Sequence, residues 1–371
     1  MRVSPNPPAK FRAAMKPLLQ VRQHGQQVWL DNLSRTLLND GHLARFIDEG
    51  VSGVTTNPAI FYKAIADGRY YGDDLAALKA EKRGAEACYE GLVVPDVQRG
   101  CDLLLPLYRD SKGEAGYVSL EVSPALAHDA AATVAAGVRL KAAVDRPNLL
   151  IKVPATPAGL EAIEALIARG ISVNVTLMFS LAHVDAVAQA YVRGLSRLQQ
   201  QGGDVTAVMS VASLFLSRVD TLVDTRLQAS GEAGLPHLGK TAVAMAKLAY
   251  QRNRAVFGGP EFAPLRAAGA RPQYMLWAST GTKNPAYPDL LYVEPLIGAQ
   301  TVNTLPDATL AALLDHGKAA ATLEDGVAEA RAHYEALAGL GIDLDAVGES
   351  LQQDGLTQFE QAFAKLLELT A

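Results

Sequence analysis

Short apolar runs alternate with amphipathic stretches along nearly the whole chain, the pattern of parallel strands joined by crossover helices. The runs predict strands over 28–32, 53–57, 117–122, 149–155, 171–179, 205–213, 273–279 and 289–297. Between them, stretches such as AGLEAIEALIARG, SLAHVDAVAQAYVRGLSRLQQ and KTAVAMAKLAYQRNRAVF place apolar residues at helical spacing, and several run into glycine. Eight βα units in one chain predict an α/β fold, a TIM (β/α)8 barrel. The competing architecture is a doubly wound open sheet, but no G-x-G-x-x-G follows the first strand, which removes the commonest reason to prefer it.

Two longer connections break the rhythm, at 61–116 and 231–271, and both read as helices inserted on the barrel. From about 307 to 371 the chain is acidic and alanine-rich with helical periodicity, which predicts a C-terminal helical cap. A single barrel domain over 15–371 results. Residues 1–14 precede MKPLLQVRQHGQQVWL, which reads as a natural start, so they are expected to be a disordered extension or an upstream start-site artefact.

Composition narrows the partners. With 371 residues, 49% hydrophobic and 20% charged, the chain can bury a large core. The net charge of -5 and the scattered Lys and Arg leave no broad footprint for nucleic acid, so an anionic partner must be met locally. No segment has the uninterrupted apolar length of a membrane span, and the start lacks a secretory h-region, so the cytoplasm is the expected location. Cys88 and Cys101 lie in a polar helical stretch and read as incidental thiols of a reducing compartment.

In a parallel barrel, alternate strand residues point inward and active sites form at the carboxyl ends. The set containing Val28 and Leu30 is read as ending on Asp31, that containing Thr55 on Asn57, and Ser119 leads to Glu121. Lys152 follows Leu150, Asn174 leads to Thr176, Ser213 follows Met209 and Val211, and Ser279 follows Met275 and Trp277. The predicted mouth therefore holds Asp31, Asn57, Glu121, Lys152, Asn174, Thr176, Ser213 and Ser279, with no His or Cys. That set suits amine chemistry, not metal or thiol chemistry.

A lysine inside LLIKVPA demands a reason, because lysine is almost never fully buried unpaired. A structural ion pair with Asp31 or Glu121 is one reason. The other is that desolvation favours a neutral amine able to attack a ketone, forming an iminium that draws electrons from the adjacent carbon. Asp31 and Glu121 are the carboxylates available for proton transfer, although Asp31 could instead cap the helix after it. Asn57 and Thr156, each before proline, carry cap signatures, whereas Asn174 and Thr176 inside an apolar strand require polar partners. Arg218 after the sixth strand and Lys283 after the seventh supply a local anion site, with an ion pair from Arg218 to Asp220 or Asp224 as the alternative.

WLDNLSR, GVTTNPAIF, SLEVSP, LLIKVPAT, ISVNVTLMFS, SLFLSRVD and LWASTGTKNP, in that order, resemble transaldolase from about residue 15 to the C-terminus. The resemblance implies a barrel of the class I aldolase type and transfer of a dihydroxyacetone unit from sedoheptulose 7-phosphate to glyceraldehyde 3-phosphate, giving erythrose 4-phosphate and fructose 6-phosphate. It implies a Lys152 Schiff base, Asp31 as acid/base, and Glu121 and Thr176 positioning water. Asn57, Asn174 and Ser213 would hold hydroxyls, while Arg218, Ser279 and Lys283 would bind phosphate. Many transaldolases have an arginine shortly after the seventh-strand serine; here Lys283 substitutes, as in a longer bacterial-type branch. The implied partners are sugar phosphates alone, with no nucleic acid, membrane or cofactor, and the chain is expected to act as a monomer or homodimer.

Overall fold

A computed structural model describes residues 16–371. The extension expected over 1–14 lies outside the described residues. Eight parallel strands close into one barrel in sequence order: β1 (Gln26–Leu30), β2 (Gly53–Val54), β3 (Tyr117–Glu121), β4 (Leu149–Pro154), β5 (Val173–Met178), β6 (Ser210–Phe215), β7 (Tyr274–Ala278) and β8 (Thr301–Leu305). Helices surround it, and side-chain caps explain where several begin. Asn57, Asp129, Thr156 and Ser180 each accept a hydrogen bond from a backbone N–H in the first turn of the helix that follows. Asp31 caps nothing, because Ser34 takes that role for the helix Arg35–Asn39.

Three expectations need correction. The eighth strand is Thr301–Leu305, not 289–297. The apolar run before it, around Tyr292, Val293, Leu296 and Ile297, is buried as a turn with a short 3-10 helix containing Pro295, whose missing N–H suits a turn better than a ladder. The sixth strand starts later than 205, because Val205–Ala207 forms a 3-10 turn. Cys88 and Cys101 are fully buried on the helix Ala85–Asp110 despite the polar look of that stretch, and burial pushes the Cys101 thiol up to about 12.

The inward faces also differ in two strands. Trp29 pairs with Thr304 and Ser213 with Leu276, so the inward sets are Gln27, Trp29 and Asp31 in β1, and Tyr274, Leu276 and Ala278 in β7. Val28, Leu30, Met275 and Trp277 face the helices instead. The aromatic residues fill the amino end of the barrel. Trp29 and Tyr117 have ring centroids 6.4 Å apart, Trp29 Nε1 donates to Gln27 Oε1 at 3.0 Å, and the Tyr274 hydroxyl donates to Glu114 at 2.6 Å. That plug leaves polar positions for the carboxyl end.

Gly53 makes the plug possible: a Cβ there would sit 2.5 Å from the buried Trp29 ring. Gly53→Ala is expected to destabilise the fold by about 1–3 kcal/mol, as overpacking in a closed core does. Urea unfolding checks this, and a midpoint unchanged from wild type would show that the ring can shift aside.

Candidate active site

The carboxyl ends of the strands open into one cavity lined by Asp31, Thr55, Asn57, Lys152, Thr176, Ser213, Phe215, Arg218, Ser279 and Lys283, with Thr304 and Phe359 among its other walls. Lys152 is 5% exposed. It is level with Glu121 on one side and Asn174 on the other, because β3–β4 and β4–β5 pair those residues. Its ammonium donates to the Thr56 carbonyl at 2.9 Å, lies 3.3 Å from Glu121 Oε2, and sits 5.8 Å from the centroid of the Phe359 ring.

The ion pair with Glu121 thus exists, but it does not account for the arrangement as a stability device. Desolvating both partners costs several kcal/mol per ion, which their attraction recovers only when other hydrogen bonds complete the site. Thr176 Oγ1, on the cavity wall, is buried with no hydrogen-bond partner, and Glu121, which does not itself line the cavity, has no partner for Oε2 beyond the 3.3 Å contact with Lys152. Buried polar atoms seldom go unpaired, so these two are built to meet water or a bound molecule. Burial pushes the Glu121 carboxyl up to about 7, with Lys152 opposing the rise and Asp31 adding to it.

Asp31 faces the same space. Thr55 donates its hydroxyl proton to Asp31 Oδ1 at 2.8 Å, and the Thr55 and Thr304 hydroxyls are 2.6 Å apart. Burial raises the Asp31 carboxyl above the usual carboxylate range, against the pull of Lys152 and Thr55. Asn57 lines the cavity while its side chain caps the helix Pro58–Ala66. Asn174 does not line the cavity. It is fully buried, donating to Ser119 Oγ at 2.9 Å and accepting from Ser213 Oγ at 2.7 Å, which is the core network rather than an exposed position at the mouth.

At the far end, Arg218 opens the helix Ser217–Ala229, and among the described residues it makes no ion pair. Asp220 and Asp224 are occupied elsewhere, by Tyr292 and Tyr287. Ser279 reaches the cavity because its backbone turns left-handed just past β7, at φ 53°, which brings its hydroxyl within 2.8 Å of Ser217 Oγ. Strand parity alone would not have aimed it there. The result is an unpaired cation, two hydroxyls and the exposed Lys283 around one end of the cavity, a setting suited to an anion.

The family model described as Transaldolase/Fructose-6-phosphate aldolase matches residues 28–370. The chain belongs to that family. A protein named Transaldolase from Thiobacillus denitrificans is 57% identical over 94% of this chain and 97% of its own length. Relatives of the same name from Neisseria gonorrhoeae and Mycolicibacterium smegmatis are 51% and 46% identical, covering 95% and 93% of this chain and 99% and 94% of theirs.

Within this transaldolase/aldolase barrel, several wall residues escaped the sequence reading. Thr304 was hidden by the misplaced eighth strand. Thr55 lay on the inward face already inferred and needed only to be extended to a role beside Asp31. Phe359 comes from the helix Leu344–Thr370, and nothing in local spacing says which of its apolar residues reaches the mouth.

Because folded Glu121 keeps its proton to higher pH than an unfolded glutamate, its favourable contribution to folding is full only below the ordinary carboxylate range. That contribution is lost as pH rises to about 7. Lys152→Met removes the charge that opposes the rise, so Glu121 is expected to titrate above its wild-type value. Carboxyl carbon NMR of glutamate-labelled protein would register this, and a downward shift would contradict the assigned balance of burial and charge.

Proposed function

We propose that the protein is a transaldolase that transfers a dihydroxyacetone unit from sedoheptulose 7-phosphate to glyceraldehyde 3-phosphate, through a Schiff base on Lys152. The observation that carries the reading is a buried lysine, paired with the raised Glu121 carboxyl, that shares a cavity with the raised Asp31 carboxyl and, at its other end, an arginine without an ion pair.

The chemistry follows from those positions. Lys152 passes a proton to Glu121, its free amine adds to the ketose C2 carbonyl, and return of that proton to the new hydroxyl lets water leave, giving an iminium. Asp31 accepts the proton of the C4 hydroxyl as the C3–C4 bond breaks, so the bonding pair flows into the iminium and erythrose 4-phosphate departs. The enamine left on Lys152 attacks the aldehyde carbon of glyceraldehyde 3-phosphate, and Asp31 returns its proton to the new alkoxide. Water held by Glu121 and Thr176 then hydrolyses the iminium, releasing fructose 6-phosphate and the free lysine. Thr176 Oγ1, without a partner on the cavity wall, and the Glu121 carboxyl beside Lys152 are the groups suited to that water.

Asn57 and Ser213 hold hydroxyls of the three-carbon unit, with Asn174 fixing Ser213 from behind. Arg218, Ser279 and Lys283 hold the phosphate, which sets the length of sugar that places C2 over Lys152. A place in the pentose phosphate interconversions and a cytoplasmic location fit this activity, and among the described residues no helix is long and apolar enough to cross a membrane.

Borohydride reduction in the presence of fructose 6-phosphate, followed by peptide mass mapping, is expected to leave a dihydroxyacetone adduct on Lys152. Turnover without an adduct on that lysine would rule out the proposed covalent step. Asp31→Asn is expected to lower kcat by about 10²–10⁴-fold, the usual worth of a general acid–base group, with sugar-phosphate binding retained. A coupled assay that follows fructose 6-phosphate against free dihydroxyacetone, with sedoheptulose 7-phosphate as donor, separates transfer from release.

A further inference from the structure

Lys283 sits on a connection without regular strand or helix between Ser279 and the 3-10 turn at Glu294–Leu296. A cation on such a segment binds well only if something holds it in place, since ordering the loop at the moment of binding would cost affinity. The anchor is the half-buried Tyr287. Its hydroxyl donates to Asp224 Oδ2 at 2.7 Å, while Asp224 Oδ1 accepts from the Gly239 N–H at 2.9 Å. Gly239 is left-handed at φ 67°, and a Cβ there would lie 2.7 Å from the Tyr287 ring, so the ring is seated directly on that glycine.

The same helix that offers Arg218 in its first turn thus carries Asp224 two turns on. A second tyrosine repeats the link: the Tyr292 hydroxyl donates to Asp220 Oδ2 at 2.8 Å, and Asp220 Oδ1 accepts from Ala242 N–H at 2.7 Å. At the start of the segment the Thr280 hydroxyl donates to the Thr304 carbonyl at 2.8 Å, whereas past Tyr287 the contact of Asp289 with His316 at 3.2 Å is solvent-exposed and correspondingly weak. Lys283 itself walls the mouth cavity on one side and, on the other, a cleft formed by Asp224 and Tyr287.

The geometry points to Tyr287 as a positioning residue: its bond to Asp224 locks the Lys283 loop to the Arg218 helix and so sets the preference for phosphorylated over unphosphorylated substrates. This rests on the assignment of Arg218 and Lys283 to the phosphate. Tyr287 touches no reacting atom, so its loss is felt in binding of the phosphate and not in the carbon–carbon step.

The test compares glyceraldehyde 3-phosphate with unphosphorylated glyceraldehyde as acceptors for wild type, Tyr287→Phe and Lys283→Met, with sedoheptulose 7-phosphate as donor. Double-displacement kinetics make kcat/KM for the acceptor independent of the donor. Tyr287→Phe is expected to raise KM for glyceraldehyde 3-phosphate about 5–20-fold with kcat within about two-fold, the pattern of a lost binding contact, and to leave unphosphorylated glyceraldehyde unchanged within about two-fold. If Tyr287→Phe does not fold, Asp224→Asn retains an acceptor oxygen and is expected to move the same parameter in the same direction by less. A rise in KM with Lys283→Met but none with Tyr287→Phe, or equal losses for both acceptors, overturns the positioning role alone. No discrimination between the acceptors by Lys283→Met overturns the phosphate assignment and the positioning role with it.

Discussion

The burial of a single ammonium group is the constraint on which the rest of the structure depends. Lys152 is almost fully removed from water, and a charge so placed is tolerated only if neighbours compensate it. β3 supplies Glu121 level with it, the backbone of Thr56 accepts its hydrogen bond, and Asp31 faces it across the mouth of the barrel. Burial raises both carboxyls, and the one cation opposes the rise without cancelling it. A group poised to exchange a proton near neutrality is the consequence, which makes the environment of the lysine as informative as the lysine.

The barrel closes this environment from outside as well as from within. The helix Leu344–Thr370 crosses the carboxyl ends of β4 and β5, where Gln352 Nε2 donates to the carbonyls of Ala155 and Leu177 at 3.1 and 3.0 Å. Leu177 is left-handed at φ 60°, and the β5–β6 register shifts between Val175 and Met178, so the bulge next to Thr176 is held by that amide. Seven residues on, and therefore on the same helix face, Phe359 covers Lys152. One apolar wall and one buried amide on a distant stretch of chain complete a site made of strand ends.

The anion end is organised by the opposite principle. There a cation is left without an ion-pair partner because the two carboxylates nearest in sequence, Asp220 and Asp224, are taken up by tyrosine hydroxyls and backbone N–H groups. Had either bound Arg218, an incoming phosphate would have had to displace it. Burial lowers the guanidinium pKa from its ordinary value, yet the group remains charged under any ordinary condition. An uncommitted arginine beside Ser279 and Lys283 is therefore ready for a ligand.

Much of this was legible from local pattern. Alternating apolar runs and amphipathic stretches determined the barrel, and the lone lysine in LLIKVPA, with carboxylates at two other strand ends, determined the character of the chemistry. These features are readable because strand and helix periods are local properties of a chain. Tertiary structure alone decided that Thr301–Leu305, and not the more apolar segment before it, closes the barrel, because closure depends on pairing with both β7 and β1. It also decided that Trp29 rather than Val28 faces inward, that a left-handed turn delivers Ser279, and that Phe359 meets the site from far along the chain. Register, backbone reversal and long-range contact are fixed by the neighbours a residue acquires on folding, and no local stretch of sequence contains those neighbours.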